Sequence, residues 1–155
     1  WLPIFYSPRI AGMYNEWLDE GFARPGARRS REDFEICATA QLIVTDDRPA
    51  VMELMKPHLA LYMGGMGAED TNFHADVYRR MGYAEVVEDV TRLFRSDRKD
   101  EAAKVIPDEL VDDSAIVGDL DYVRKQIPIW EAAGVTMMVI GARDVEQIKQ
   151  AASLL

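Results

Sequence analysis

Three stretches of this chain carry the pattern of a β-strand, and three strands cannot close a sheet on itself. The clearest is Phe34 to Val44. Phe34, Ile36, Ala38, Ala40, Leu42 and Val44 fall on one face, while Glu35, Cys37, Thr39 and Gln41 fall on the other, with only Ile43 out of pattern. Alternation at period two over this length identifies an extended segment with one buried face. Leu2 to Tyr6 reads as a short buried strand ended by Ser7-Pro8, and Val135 to Ile140 is a continuous apolar run of the length of a buried parallel strand.

Helical patterns fill the gaps. Ser7 caps a helix with Pro8 in its first turn, followed by Ile10, Met13, Tyr14, Trp17 and Leu18 on one stripe, and Gly21 is expected to stop it. Thr45-Asp46-Asp47 caps a second helix, predicted to reach about Met63 with a kink at Pro57. Its stripe is Val51, Leu54, Met55, His58, Leu61 and Tyr62. Gly64-Gly65-Met66-Gly67 breaks it, and short helices are expected over Asn72–Met81, Ala84–Phe94 and Asp100–Val105. Gly118-Asp119 begins a longer helix burying Val123, Ile127, Trp130 and Ala133. Gly141 to Asp144 turns into a last helix bearing Val145, Ile148, Ala152 and Leu155.

Strands alternating with helices argue for a parallel sheet under covering helices. A closed (β/α) barrel needs about eight strands. The chain is thus short of strands for such a fold, and a cluster of helices occupies roughly 50–111 within one domain over 1–155. The chain opens on Trp1 within an apolar run and without an initiator Met, which we read as a segment of a longer chain.

Composition narrows the function classes. With 18 Lys plus Arg against 27 Asp plus Glu, the net charge is −9, which disfavours nucleic acid and anionic membrane surfaces as partners. No run approaches the roughly 20 apolar residues of a membrane span, and the single cysteine, Cys37, allows neither an internal disulfide nor a cysteine zinc cluster. A soluble, cytoplasmic protein is expected.

Several blocks resemble the luciferase-like oxidoreductases that use coenzyme F-420. They are Pro57 to Ala68 with its Gly64-Gly65-Met66-Gly67, Asn72-Phe73-His74, Arg80-Met81-Gly82-Tyr83, Lys99 to Ala103, Val105 to Leu110, and Val117-Gly118 through Thr136. The opening Trp1-Leu2-Pro3 is similar to the entry into a late strand of these barrels. The resemblance covers essentially the whole chain. It implies an α/β fold corresponding to about strands six to eight of a (β/α)8 TIM barrel, with the helical insertion after the middle strand, on the catalytic face. It also implies hydride transfer between the deazaflavin and a small-molecule substrate, with FMN as the alternative cofactor. The earlier strands that complete such sites have no counterpart here, so no catalytic acid or base is carried over. The missing N-terminal barrel half is an expected partner, and the segment alone is expected to be inactive.

Candidate cofactor- or substrate-proximal residues each have a plainer role beside the functional one. Ser7 could contact a ligand or simply cap its helix. Gly64 and Gly65 could admit an anion or hinge a lid, or merely stop a helix. Asn72 could cap the next helix, Phe73 could wall a pocket, and His74 could donate to a ligand oxygen or be an ordinary surface residue. Arg143 follows the last strand, where barrels often hold phosphate, or forms a surface pair with Asp144. His58 is read as structural. Thr39 and Gln41 could face the barrel interior or satisfy each other. Arg24, Arg28, Arg29 and Arg31 read as a solvated loop, and Asp46-Asp47 and Asp112-Asp113 receive no chemistry. The rival reading is a non-catalytic module. Under either reading the open sheet edges should drive self-association, giving a homo-oligomer.

Overall fold

The computed structural model describes residues 1–39, 41–68, 71–140, 142 and 144–154. After a single 3-10 turn at Pro8–Ile10, helix α1 spans Ala11–Phe22. Strands β1 (Cys37–Ala38) and β2 (Gln41–Val44) follow, then α2 (Arg48–Ala60), which passes through Pro57 and widens into a π turn at Leu61–Gly65. Four further helices lead to the next strand: α3 (Phe73–Arg80), α4 (Ala84–Arg95), α5 (Lys99–Lys104) and α6 (Asp108–Ser114). The chain ends with β3 (Ala115–Gly118), α7 (Leu120–Ala132), β4 (Met137–Met138) and α8 (Val145–Ala152).

All strand pairing among the described residues is parallel. β1 pairs with β4 in the register Cys37 to Met137, and β2 pairs with β3 in the register Gln41 to Ala115. The expected alternation holds: Ile36, Ala38 and Leu42 are buried, whereas Glu35, Thr39 and Gln41 are exposed. One extended segment nevertheless serves two ladders, because its first half meets β4 and its second half meets β3.

Leu2–Tyr6 does not form a strand. The chain turns at Ile4 and Phe5, where Phe5 takes φ 54°, a left-handed value that is strained for a residue with a side chain. Only Trp1 pairs: its amino group donates to the Glu35 carbonyl at 2.9 Å, and its carbonyl accepts from the Cys37 amide at 2.8 Å. The Val135–Ile140 run narrows to Met137–Met138, flanked by amide donations from Thr136 to Ile36 and from Val139 to Ala38. The sequence reading omitted β3. It is buried on both faces, because Ala115 and Val117 enter one core while Ile116 enters another.

Those two cores organise the molecule. The first lies among α2 to α6 and contains Met52, Met63, Tyr78, Met81, Val87, Val90, Leu110 and Val111. The second joins Ile36, Ala38 and Leu42 of the extended segment to Ala11, Val123, Trp130 and Val135. Its tie to the N-terminus is the Tyr6 hydroxyl, which donates to the Ala133 carbonyl at 2.7 Å.

A candidate site between the second helix and the last helix

A cavity of about 750 Å³ runs between α2 and α8 over the extended segment from Thr39 to Val44. That volume lies within the usual range for small-molecule sites. Its α2 wall is the stripe of Val51, Leu54, Met55 and His58, and its opposite wall holds Val139, Ile140, Gln147 and Gln150. Ile4 and the strained Phe5 close one end. A non-glycine residue held at positive φ against a cavity is a frequent mark of functional constraint.

Behind Phe5 stands an aromatic cluster. Its ring centroid lies 5.0 Å from Tyr62, 6.0 Å from His74 and 6.4 Å from His58. Tyr62 sits between the two histidines, at 4.8 Å from each. The His74 Nδ1 is buried and makes no hydrogen bond among the described residues. A buried polar atom without a partner is costly, so it marks a position where a ligand or solvent group would be accepted.

The expected site residues separate. Asn72 is the N-cap of α3: its Oδ1 accepts from the amides of His74 and Ala75, while its Nδ2 donates to the Tyr62 and Met63 carbonyls at 2.9 and 2.8 Å. Its polar atoms are thereby committed, and its effect is to set His74 beside the π turn. Phe73 points outward at 76% exposure. Gly64 and Gly65 pack on the ring of Phe94: a Cβ at Gly64 would stand 2.5 Å from the Phe94 Cβ, and one at Gly65 would stand 2.6 Å from its Cε1. The missing side chains thus serve helix packing. Gly67, at φ 82°, makes the tight turn beyond. Ser7 is fully buried and caps the 3-10 turn, accepting from the Arg9 amide at 3.2 Å. Arg143, read as either a phosphate contact or a surface pair with Asp144, lies outside the described residues.

Two residues carry more of the site than their sequence reading assigned. His58 is exposed and lines the cavity. Gln41 does the same, and no hydrogen bond joins it to Thr39, whose hydroxyl instead donates to the Pro3 carbonyl at 3.4 Å. The signal for His58 was its place on the same stripe as Val51, Leu54 and Met55.

Charged groups hold the frame around this cavity. Asp112 and Asp113 face different partners: Asp112 pairs with Arg48, whose Nε also donates to the Val117 carbonyl at 3.0 Å. Asp113 accepts from Arg9 at 3.2 Å and from the Tyr83 hydroxyl at 2.6 Å. Burial, with the hydrogen bond and charge of Asp113, pushes the Tyr83 phenol up to about 12. For Lys56, burial alone would lower the pKa, but hydrogen bonds to Asp108 and Glu53 outweigh it and hold the ammonium above its ordinary value. Among the described residues no cluster of three potential metal ligands occurs, and no helix is long and apolar enough to cross a membrane.

Residues 1–137 match the family described as "Luciferase-like monooxygenase". The chain belongs to this family. A curated member from Mycobacterium tuberculosis (strain ATCC 25618 / H37Rv), named as a putative coenzyme F-420-dependent oxidoreductase, is 76% identical over all 155 residues. The chain spans 45% of that relative's length. In fold, the luciferase-like chain resembles the coenzyme F-420-dependent tetrahydromethanopterin reductase from Methanopyrus kandleri, with a TM-score of 0.71 at 21% identity. The likeness covers 96% of this chain and 42% of the reductase, and at that identity it speaks for the fold alone.

Proposed function

We propose that this chain forms the late-strand part of a coenzyme F-420-dependent oxidoreductase, with strands β1 and β4 corresponding to about strands seven and eight of its barrel and the Trp1 segment to strand six. The complete enzyme would transfer hydride to or from a small organic substrate. The observation that carries this reading is the cavity between α2 and α8, backed by Phe5, Tyr62 and the unpartnered His74 Nδ1. It gains weight from the 76% identity to a protein named for that coenzyme.

The residues suit the ring end of such a cofactor. Phe5, with Tyr62 packed behind it, offers an aromatic face, and His58, Gln41 and Gln150 offer hydrogen-bonding groups around apolar walls. No cation stands among the described lining residues, so an anionic tail would be held elsewhere, with Arg143 the sequence's candidate. Bound there, the cofactor would supply a two-electron donor or acceptor. The chain's own part is to orient and to exclude water: Val51, Met55 and Ile43 keep the floor dry, and Asn72 fixes His74 against Tyr62. The helices α2 to α6 act as the insertion at the mouth, with Gly67 as a hinge. Homo-oligomerisation and a cytoplasmic setting remain part of the proposal.

Titrating the intact protein with F-420 and separately with FMN, following Trp1, Trp17 and Trp130 fluorescence, tests it. Saturable quenching by F-420 is expected, with His74→Ala weakening it while leaving the melting temperature nearly unchanged. Saturation by FMN alone would overturn the cofactor assignment.

A further inference from the structure

Two buried polar atoms on α3 go unanswered. The Tyr78 hydroxyl belongs to a side chain with no exposed surface, and the His74 Nδ1, one helical turn before it, is also shut from solvent. Neither has a hydrogen-bond partner among the described residues. The Ser114 hydroxyl acts on the phenol from nearby, yet its own proton goes to the Leu110 carbonyl at 2.8 Å. Burial pushes the Tyr78 pKa up, so the phenol stays neutral. Folded proteins rarely leave such groups unpaired, because each forfeits its hydrogen bonds to water.

Both residues pack on the same neighbour. The Phe5 ring centroid lies 5.3 Å from that of Tyr78 and 6.0 Å from that of His74, and Tyr62 at 5.0 Å forms a third wall. Phe5 offers these walls a flat ring and no polar atom. It also holds a left-handed backbone at φ 54° and lines the cavity, so its departure would relieve strain and open the box toward that space. We propose that the Phe5 ring is an internal plug in a site for a neutral six-membered ring with a hydrogen-bonding edge, which displaces Phe5 and bonds to Tyr78 and His74. The box fits a ring because it already holds one, and the polar edge supplies what Phe5 lacks. Neither contact depends on which cofactor the complete protein uses.

The probes are 2-pyridone, whose N–H and carbonyl lie side by side, and benzene, the same ring without them, each titrated into the intact protein by calorimetry. Phe5→Gly removes the plug at a position where glycine takes φ 54° freely, and should tighten 2-pyridone binding at least about tenfold, since the open state no longer has to be populated first. Tyr78→Phe should weaken 2-pyridone about fivefold or more, leave benzene unchanged and not lower the melting temperature, because the hydroxyl it removes has no partner in the free protein. A hydroxyl that serves only the fold would give the reverse, a lower melting temperature with unaltered 2-pyridone binding. That result overturns the proposal. So does a Phe5→Gly protein that binds 2-pyridone no better than benzene, or no better than the parent does. Should the Phe5→Gly protein not fold, the Tyr78→Phe readings decide alone.

Discussion

The helical region from α2 to α6 and the strand region around it solve the burial problem differently. In the helical region, apolar side chains are enclosed on all sides: Tyr78, Val87, Val90, Ala102, Leu110 and Val111 have essentially no exposed surface. Of its buried polar groups, Asn72 is answered by two amides and two carbonyls and Lys56 by Asp108 at 2.8 Å, whereas the His74 Nδ1 and the Tyr78 hydroxyl have no hydrogen-bond partner among the described residues. The strand region covers one face with α1 and α7 but leaves Leu2, Met137 and Val139 exposed, and α8 buries no residue fully, with Val145 and Ile148 turned out. One region is a finished core. The other has apolar surface fitted for a covering that these residues do not supply.

The contrast breaks most readily by deletion in the finished core. Leu110→Ala should cost about 2–5 kcal/mol in urea unfolding, because the enclosed site cannot collapse around the lost atoms. A cost near zero would mean the helical region is loosely packed after all. Gly64→Ala comes next. Its Cβ would meet the Phe94 Cβ at 2.5 Å, so overpacking should cost about 1–3 kcal/mol, and Phe94→Ala in the same protein should recover part of it. Failure of that recovery would locate the strain elsewhere.

Asn72→Ala should cost about 1–2 kcal/mol through the lost cap and donors, with Asn72→Ser intermediate because it keeps an acceptor for the α3 amides. Equal losses from the two would deny the acceptor any part. Tyr83 gives a smaller, pH-dependent effect at the seam between the regions, where Arg9 and Asp113 meet. Its pKa is raised by folding to about 12, above the ordinary value of 10.0, so the folded state favours the neutral phenol. That contribution is complete below pH 10 and lost as pH rises toward 12. Melting temperature should therefore fall less steeply over that window in Tyr83→Phe than in the parent. Identical slopes would remove the phenol from the account.

The same two regions differ in how legible they were. Helices with a sharp stripe were read closely: Asn72–Met81 appears as Phe73–Arg80, and Ala84–Phe94 as Ala84–Arg95. Local signals such as the Asn72 cap suffice where a helix satisfies its own backbone. Strands do not. The alternation from Phe34 to Val44 showed which face is buried but not that β4 and β3 share the segment, since pairing partners lie far along the chain. β3 escaped because four apolar residues between α6 and α7 have no periodicity to detect. At the site, the Asn72 cap was among the roles read, whereas the packing of Gly64 and Gly65 on Phe94 depends on a helix some thirty positions away that no local pattern names. Phe5's backbone is likewise set by the turn that follows Pro3, against the strand pattern of its neighbours.

The smallest effect sharpens the contrast most. Met137 lies on β4, 46% exposed, with its sulfur 3.8 Å from that of Cys37. On a covered sheet a β4 methionine would be core, and shortening it to Thr would cost well over 1 kcal/mol. On the open face described here, Met137→Thr should change the stability of the 155-residue chain by no more than about 0.5 kcal/mol, since half the side chain already meets water and threonine suits a strand. Repeating the substitution at the equivalent position of the longer mycobacterial relative turns the comparison into a measurement. A large loss there beside a small one here would mean that residues beyond this chain's span cover the face, and two small losses would mean that the sheet stays open in the longer protein as well.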